Sequence, residues 1–274
     1  MDATAIKQLQ DSAVAAHTNT ALSTLTSQLV ALPKGYELHD LEKYHQHPFR
    51  FSGGFETTVL PDFVKYVKSV PDTGQYGPPT VFIHPEVATA TAFFNLGNPE
   101  APGHGDHRAE LDMPATPEWE AMRKAADTQF SQQALIEWLE NWQDNVQPLT
   151  ANDDAMPLKQ AIAAIRTVTI KAASEMTNTE DNFRQSRSMM ENIEASSRIE
   201  LPAFIDFKAE PYLGQGAITV CLRVSVLTGG EKPMFRLRPI ALEKAETEAL
   251  TTFASRLMTE LGDGPQVYIG TFKP

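Results

Sequence analysis

Apolar residues recur at helical spacing near the start of the chain: Ile6, Leu9 and Ala13 form one stripe, and Leu22, Leu25, Leu29 and Leu32 form a second at near-heptad spacing. The pattern predicts two short helices that end at Pro33-Lys34-Gly35. Short helices take most of their stability from packing, so both stripes need a partner, in the protein's own core or in another subunit. From Phe49 to Val59 the residues fit a strand interrupted by Gly53-Gly54. Pro61-Asp62 then opens a helix carrying Phe63, Val64, Val67 and Val70, which Pro71 stops. Strand-like stretches follow at Thr80 to His84 and Ala88 to Leu96. Asp106 to Met113 alternates strictly, with His107, Ala109, Leu111 and Met113 on one face and Asp106, Arg108, Glu110 and Asp112 on the other.

Thr116-Pro117-Glu118 supplies an N-cap, a proline at the first helical position and an acid at the positive end of the helix dipole. A further helix is predicted from Ser131, with Leu135, Leu139, Trp142 and Val146 as its stripe. Beyond the polar, proline-flanked Asn152-Asp153-Asp154, strands are predicted near Val168 to Ala172, Ile199 to Phe207, Ile218 to Leu227 and Pro233 to Pro239. A long helix from Leu242 to Leu261 follows, striped by Leu242, Ala249, Leu250, Phe253, Leu257 and Leu261. Gly262-Asp263-Gly264 ends it, and Val267 to Phe272 adds a last strand. Asn182 to Ser197 reads either way, with Phe183, Met190 and Ile193 at near-helical spacing between strands. The expected class is α+β: antiparallel sheets with packed helices and a C-terminal β-meander closed by a long helix. Three regions are expected: a helical segment over 1–48, an α+β region with a β-hairpin and two Trp-bearing helices over 49–150, and a sheet plus helix over 151–274, the whole being compatible with one continuous domain.

Composition narrows the function. With 23 Lys+Arg against 35 Asp+Glu the net charge is -12, which argues against a protein whose whole surface grips nucleic acid. The charge is uneven, since residues 166–242 hold 10 basic against 9 acidic side chains while residues 1–165 hold 10 against 21. No run approaches the roughly 18 to 20 apolar residues a membrane helix needs, and the first residues lack the pattern of a secretory signal, so a cytoplasmic location is expected. The single cysteine, Cys221, excludes an intrachain disulfide and any multi-cysteine metal site, and no histidine lies near it in sequence to activate a thiolate.

Two places carry candidate chemistry. Gly103-His104-Gly105-Asp106-His107-Arg108 packs imidazoles and a carboxylate onto a glycine-rich loop, and His104, Asp106 and His107 are candidate metal ligands. The run partly matches the H-x-H-x-D-H motif of metallo-β-lactamase-like hydrolases, but Pro102 stands at its first position and strand phase separates Asp106 from His107. The alternative is a hairpin loop entering a strand, with Asp106 and Arg108 as a solvated pair and His107 half-buried. A second group, His39, His45 and His47, has no acid or cysteine to complete a set and reads as solvated loop.

The other place is the hairpin Ile218 to Pro239. A two-residue turn at Gly229-Gly230 pairs Val226 with Pro233, Val224 with Phe235 and Leu222 with Leu237, so that apolar faces apolar. The same register sets Arg223 opposite Arg236, with Arg238 next along the face, which is unfavourable unless something negative lies between or beside them. An internal carboxylate, an acidic surface of a neighbouring subunit and a phosphate all meet that need. These three arginines are the candidate anion- or partner-binding residues. Phosphate-loop, dinucleotide, nucleophile-elbow and zinc-helix motifs are missing, and no catalytic residue or cofactor is implied. Trp119, Trp138 and Trp142 lack interleaved basic residues and read as core or interface.

Gly103-His104-Gly105-Asp106-His107-Arg108-Ala109, Pro114-Ala115-Thr116-Pro117-Glu118-Trp119, Ile199-Glu200-Leu201-Pro202 and Leu237-Arg238-Pro239 together resemble the YfdQ-like family of prophage and phage proteins over nearly the whole chain. The resemblance implies a phage-derived cytoplasmic protein of unknown function, with no catalytic residues to carry over and strand across Asn182 to Ser197. Three functions follow in order. The first is a non-enzymatic accessory protein acting by self-assembly or by binding a phage or host protein. A single-strand DNA-handling role on the arginine face is second, and a metal-dependent hydrolase is third.

Overall fold

The computed structural model describes residues 3–23, 46–48, 50–72, 74, 76–126, 128–168, 200–227 and 233–273. The chain divides into two compact units, Met1–Phe51 and Ser52–Pro274. In the first, helix α1 (Ala3–Ser23) carries the first expected stripe, Ile6, Leu9 and Ala13, and runs on to Leu22, the first residue of the second. Its side chains from Thr4 to Val14 are exposed, Ile6, Leu9 and Val14 included. Leu25, Leu29 and Leu32 lie outside the described residues. No described helix is long and apolar enough to cross a membrane.

The second unit is α+β, with two five-stranded sheets among the described residues. In the first sheet β1 (Gly53–Thr57), β2 (Thr80–Ile83), β3 (Thr89–Phe93), β4 (His107–Asp112) and β10 (Gln266–Ile269) run in the order β1-β4-β3-β2-β10. The central hairpins are antiparallel, but both edges pair in parallel, β1 on β4 and β10 on β2. Strict alternation buries His107, Ala109 and Leu111 of β4 on the face covered by α2 (Leu60–Ser69). That helix buries Leu60, Phe63, Val64 and Val67 at the spacing of an amphipathic stripe.

The second sheet joins β5 (Gln129–Ser131), β6 (Val146–Leu149), β7 (Phe204–Ala209), β8 (Ile218–Leu227) and β9 (Met234–Pro239) in the order β5-β9-β8-β7-β6, antiparallel throughout. Its inner face packs on α3 (Pro117–Ala126), α4 (Gln132–Asn141) and α5 (Leu158–Thr167) through Trp119, Met122, Leu135, Leu139 and Ile165. The cap expected at Thr116 is made, Trp119 N donating to Thr116 Oγ1 at 3.3 Å, and Ser131, where the next helix was expected to begin, caps it by accepting from Ala134 N at 3.1 Å. The stripe predicted for α4 outruns the helix, which is capped at Trp142 and leaves Val146 to open β6.

Helix α5 ends just before the strand expected near Val168, and Val168 itself is its extended C-cap. Ala161, Ala164 and Ile165 are buried at helical spacing, and Gln132 Nε2 donates to the carbonyls of Ile165 (2.9 Å) and Val168 (2.8 Å), satisfying groups that a helix C-terminus leaves open. Residues 169–199, which include the rest of that strand and the ambiguous Asn182 to Ser197, lie outside the described residues.

Helix α6 (Leu242–Leu261) occupies the predicted span, entered at Ala241 with φ 57° and left at Gly262 with φ 68°. It buries Ala245, Ala249, Phe253, Leu257 and Leu261, one residue in every four. Four residues exceed a 3.6-residue turn, so this stripe drifts by about 40° per step. Ala245 accordingly packs in the core of the second sheet, whereas Phe253, Leu257 and Leu261 pack in that of the first. The chain then adds β10 to the first sheet, so the last strand leaves the meander that precedes it. Truncating the fully buried Phe253 to Ala should cost about 3–5 kcal/mol of unfolding free energy, measured by urea denaturation of the whole chain. A loss below about 1 kcal/mol would mean that the helix does not depend on that seat.

Candidate functional site

Pleating turns Ile205, Phe207, Val220, Leu222, Val224, Phe235 and Leu237 of the second sheet into the core, and so turns Phe204, Asp206, Lys208, Arg223, Ser225, Arg236 and Arg238 to its other face. The three candidate arginines therefore do share one face. Their register differs from the expected one by two residues: Val226 pairs with Phe235, Val224 with Leu237 and Leu222 with Pro239. Arg223 thus stands opposite Arg238 rather than Arg236, which faces Ser225. A slip of two keeps every side chain on its own face, so apolar pairing alone does not distinguish the two registers. Pairing begins at Leu227 and Met234, and Gly229-Gly230 lies outside the described residues.

Around the arginines the face is built across strands. Arg238, Arg223, Phe204 and Leu149 form one row, with Gln129, Arg236 and Ser225 in the next. Arg223 lies over Phe204, its Cζ 5.6 Å from the ring centroid. Arg236 and Arg238 are exposed, and neither has a carboxylate within ion-pair distance among the described residues. Beside them a cleft of about 750 Å³ opens between α3, β9 and the start of α6, lined by Arg123, Lys124, Arg236, Arg238, Leu242 and Glu246 among others. Its other cations are engaged: Arg123 pairs with Glu246 at 3.0 Å and Lys124 with Glu120 at 2.7 Å. Lys208 on β7 adds a further exposed cation, and Asp206 is the acid set within the strands of this face.

Cys221 pairs with Asp206 across β7 and β8. Burial, the charge and hydrogen bond of Asp206 and the charge of Asp153 push its thiol up to about 11, against a smaller pull from Arg223. At neutral pH Cys221 is a thiol, not a nucleophilic thiolate.

The His/Asp loop is held from within. Gly103 N donates to Leu96 O at 2.8 Å and Gly105 N to Asn95 O at 3.1 Å, and a side chain at Gly103 would collide with the Asn95 carbonyl. Asn95, itself buried, accepts from His107 N at 3.0 Å and donates from Nδ2 to Asp106 at 2.9 Å. The His107 ring points inward, with Nε2 3.2 Å from the Tyr66 hydroxyl, and burial lowers its pKa despite the nearby Asp106. His104 is exposed. Arg108 pairs with Glu110 at 2.9 Å, not with Asp106, and His107 is buried rather than half-buried. Among the described residues no three His, Cys, Asp or Glu side chains converge as a metal site. His47 is exposed; His39 and His45 lie outside the described residues.

Phe204 and Lys208 join the arginines through the pairing of β7 with its neighbour β8, whereas Gln129 joins them only through the pairing of β5 with the distant β9, which hairpin periodicity does not specify. The fold and this face define a class: an α+β protein of two five-stranded sheets with a cationic sheet face on an acidic chain. The chain belongs to a family described as an uncharacterised conserved protein (DUF2303), whose model matches residues 2–272. No curated protein and no solved structure matches it.

Alkylation by iodoacetamide followed against pH should show Cys221 titrating near about 11, slow at about pH 8. Asp206→Asn removes a charge and a hydrogen bond that both raise the pKa, so it should move the profile to lower pH and speed the reaction at about pH 8. A profile that ignores the Asp206 substitution would contradict the arrangement.

Proposed function

We propose that this protein is a non-enzymatic accessory protein of phage type that holds an anionic macromolecule on the arginine face of its second sheet. One observation carries the reading: Arg236 and Arg238, exposed on β9 beside Arg223, have no carboxylate partner among the described residues, whereas Arg108, Arg123, Lys124 and Arg256 each pair with a glutamate. In a chain with 35 acidic side chains, Arg236 and Arg238 stand two residues apart on one strand with no carboxylate partner among the described residues, a repulsion that an external anion relieves. The partner's phosphates, sulfates or carboxylates supply that anion. The protein should be retained on heparin at about 50 mM salt despite its net charge of -12, and the Arg236→Gln/Arg238→Gln variant should elute at clearly lower salt. Flow-through of the unaltered protein under those conditions rejects the reading.

A second reading, self-assembly, is supported by α1, which exposes Ile6, Leu9 and Val14 on a helix of 21 residues. An apolar stripe on an exposed helix gains stability when a second copy covers it. Mass photometry at micromolar concentration should then give a multiple of the 30.2 kDa chain, and Ile6→Gln/Leu9→Gln should shift the population to the monomer. A monomer alone in the unaltered protein counts against it.

A further inference from the structure

The anionic partner of the arginine face, if that face is a binding surface as proposed above, has a chemistry that the neighbouring side chains narrow. We infer that it is a single-stranded nucleic acid, lying across the strands with its phosphates on Arg236 and Arg238 and a base stacked at Phe204.

The spacing of the groups carries the argument. Arg236 and Arg238 are two residues apart on one strand, about 7 Å, which suits successive phosphates of an extended single strand. Arg238, Arg223 and Phe204 lie side by side on three adjacent strands, about 5 Å per step. The ring and the β9 arginine are therefore roughly 10 Å apart, a distance one or two nucleotides bridge between base and phosphate. Arg223 already lies over Phe204, so a base meets a guanidinium backed by an aromatic ring, the pairing that sequence-tolerant single-strand sites use. Gln129 and Ser225, in the row of Arg236, offer amide and hydroxyl groups to a base edge.

Two other anions fit less well. An acidic peptide satisfies the arginines but leaves the stack at Phe204 without a role. A duplex carries one charge per roughly 1.7 Å of axis and brings a second strand of phosphates against a chain of net charge -12. The helices of the second sheet pack on its inner face, and α3, α4 and α5 present none of their buried side to a major groove.

The test is fluorescence anisotropy of the full chain with a labelled oligothymidylate of about 15 nucleotides, a length within the range single-strand folds cover. Binding should fall with salt at a log–log slope of about -1.4 to -2.1, for the two or three phosphates held. Arg236→Gln/Arg238→Gln should bring the slope close to zero or to about -0.7. Phe204→Ala should weaken binding by about five- to a hundredfold with the slope unchanged, and Phe204→Leu, which keeps apolar bulk but not the ring, should weaken it likewise. Retention on heparin without oligothymidylate binding leaves an anionic partner in place and overturns this inference. Loss of both defeats the two together. Oligothymidylate binding that both Phe204 variants leave unaltered, or a duplex of equal length bound as tightly, also overturns it.

Discussion

The architecture of Ser52–Pro274 depends on one helix serving two hydrophobic cores. An ideal amphipathic helix keeps its apolar residues in a straight stripe by mixing steps of three and four. Helix α6 uses steps of four only, from Ala245 to Leu261, so its buried line winds about 160° around the axis over sixteen residues. Its first turns offer small side chains to the second sheet, where Ala245 enters the core, and its last turns bring Phe253, Leu257 and Leu261 to the first. The strand after it then extends the first sheet beside β2, tying the end of the chain to strands almost two hundred residues earlier. The Arg123–Glu246 pair joins the start of the same helix to α3 in the wall of the cleft that Arg236 and Arg238 line.

With both inner faces occupied, the two sheets differ in what they turn outward. On the first sheet the outward row Glu56, Glu110, Thr91, Phe82 and Tyr268 passes from acidic at β1 to aromatic at β10. Phe272 stacks on Phe82 at 5.0 Å and meets Phe93 edge-on at 5.7 Å, so the C-terminal residues cover part of this face from within the chain. The second sheet turns out Lys208, Arg223, Arg236 and Arg238. A chain that is acidic in total thus sets four cations and one acid, Asp206, on the strands of one sheet face.

Elements whose apolar period is unambiguous are legible in the order of residues alone. The spans of β8 and α6, the alternation of β4 and the caps at Thr116 and Ser131 follow directly from side-chain spacing and hydrogen-bonding capacity. Helix α5 is hidden because Pro157 and the polar run before it read as the end of one region, although proline is compatible with a helix start and Ala161, Ala164 and Ile165 carry the period. The parallel edges of the first sheet are hidden for another reason. Nothing local in Gly53–Thr57 or Gln266–Ile269 names the strand each will join, since that choice is made by helices that return the chain to the sheet.

The candidate face shows the same division between local and non-local information. Alternation places the three arginines together correctly, because a register slip of two residues preserves the face. Which arginine opposes which is not legible, since Val, Leu and Phe pair almost equally well in either register. In the observed pairing Arg223 faces Arg238 directly, and the cross-strand neighbour of Arg223 on its other side is Phe204. Like charges opposed across strands are unfavourable at any register, but here the ring offers one guanidinium a π-face, while Arg238 stays exposed at the margin of the cleft. The repulsion is thereby arranged so that relief for Arg238 comes from the solvent side, where an anion can arrive. Asp206, one step further along the same face, engages Cys221 across the strand.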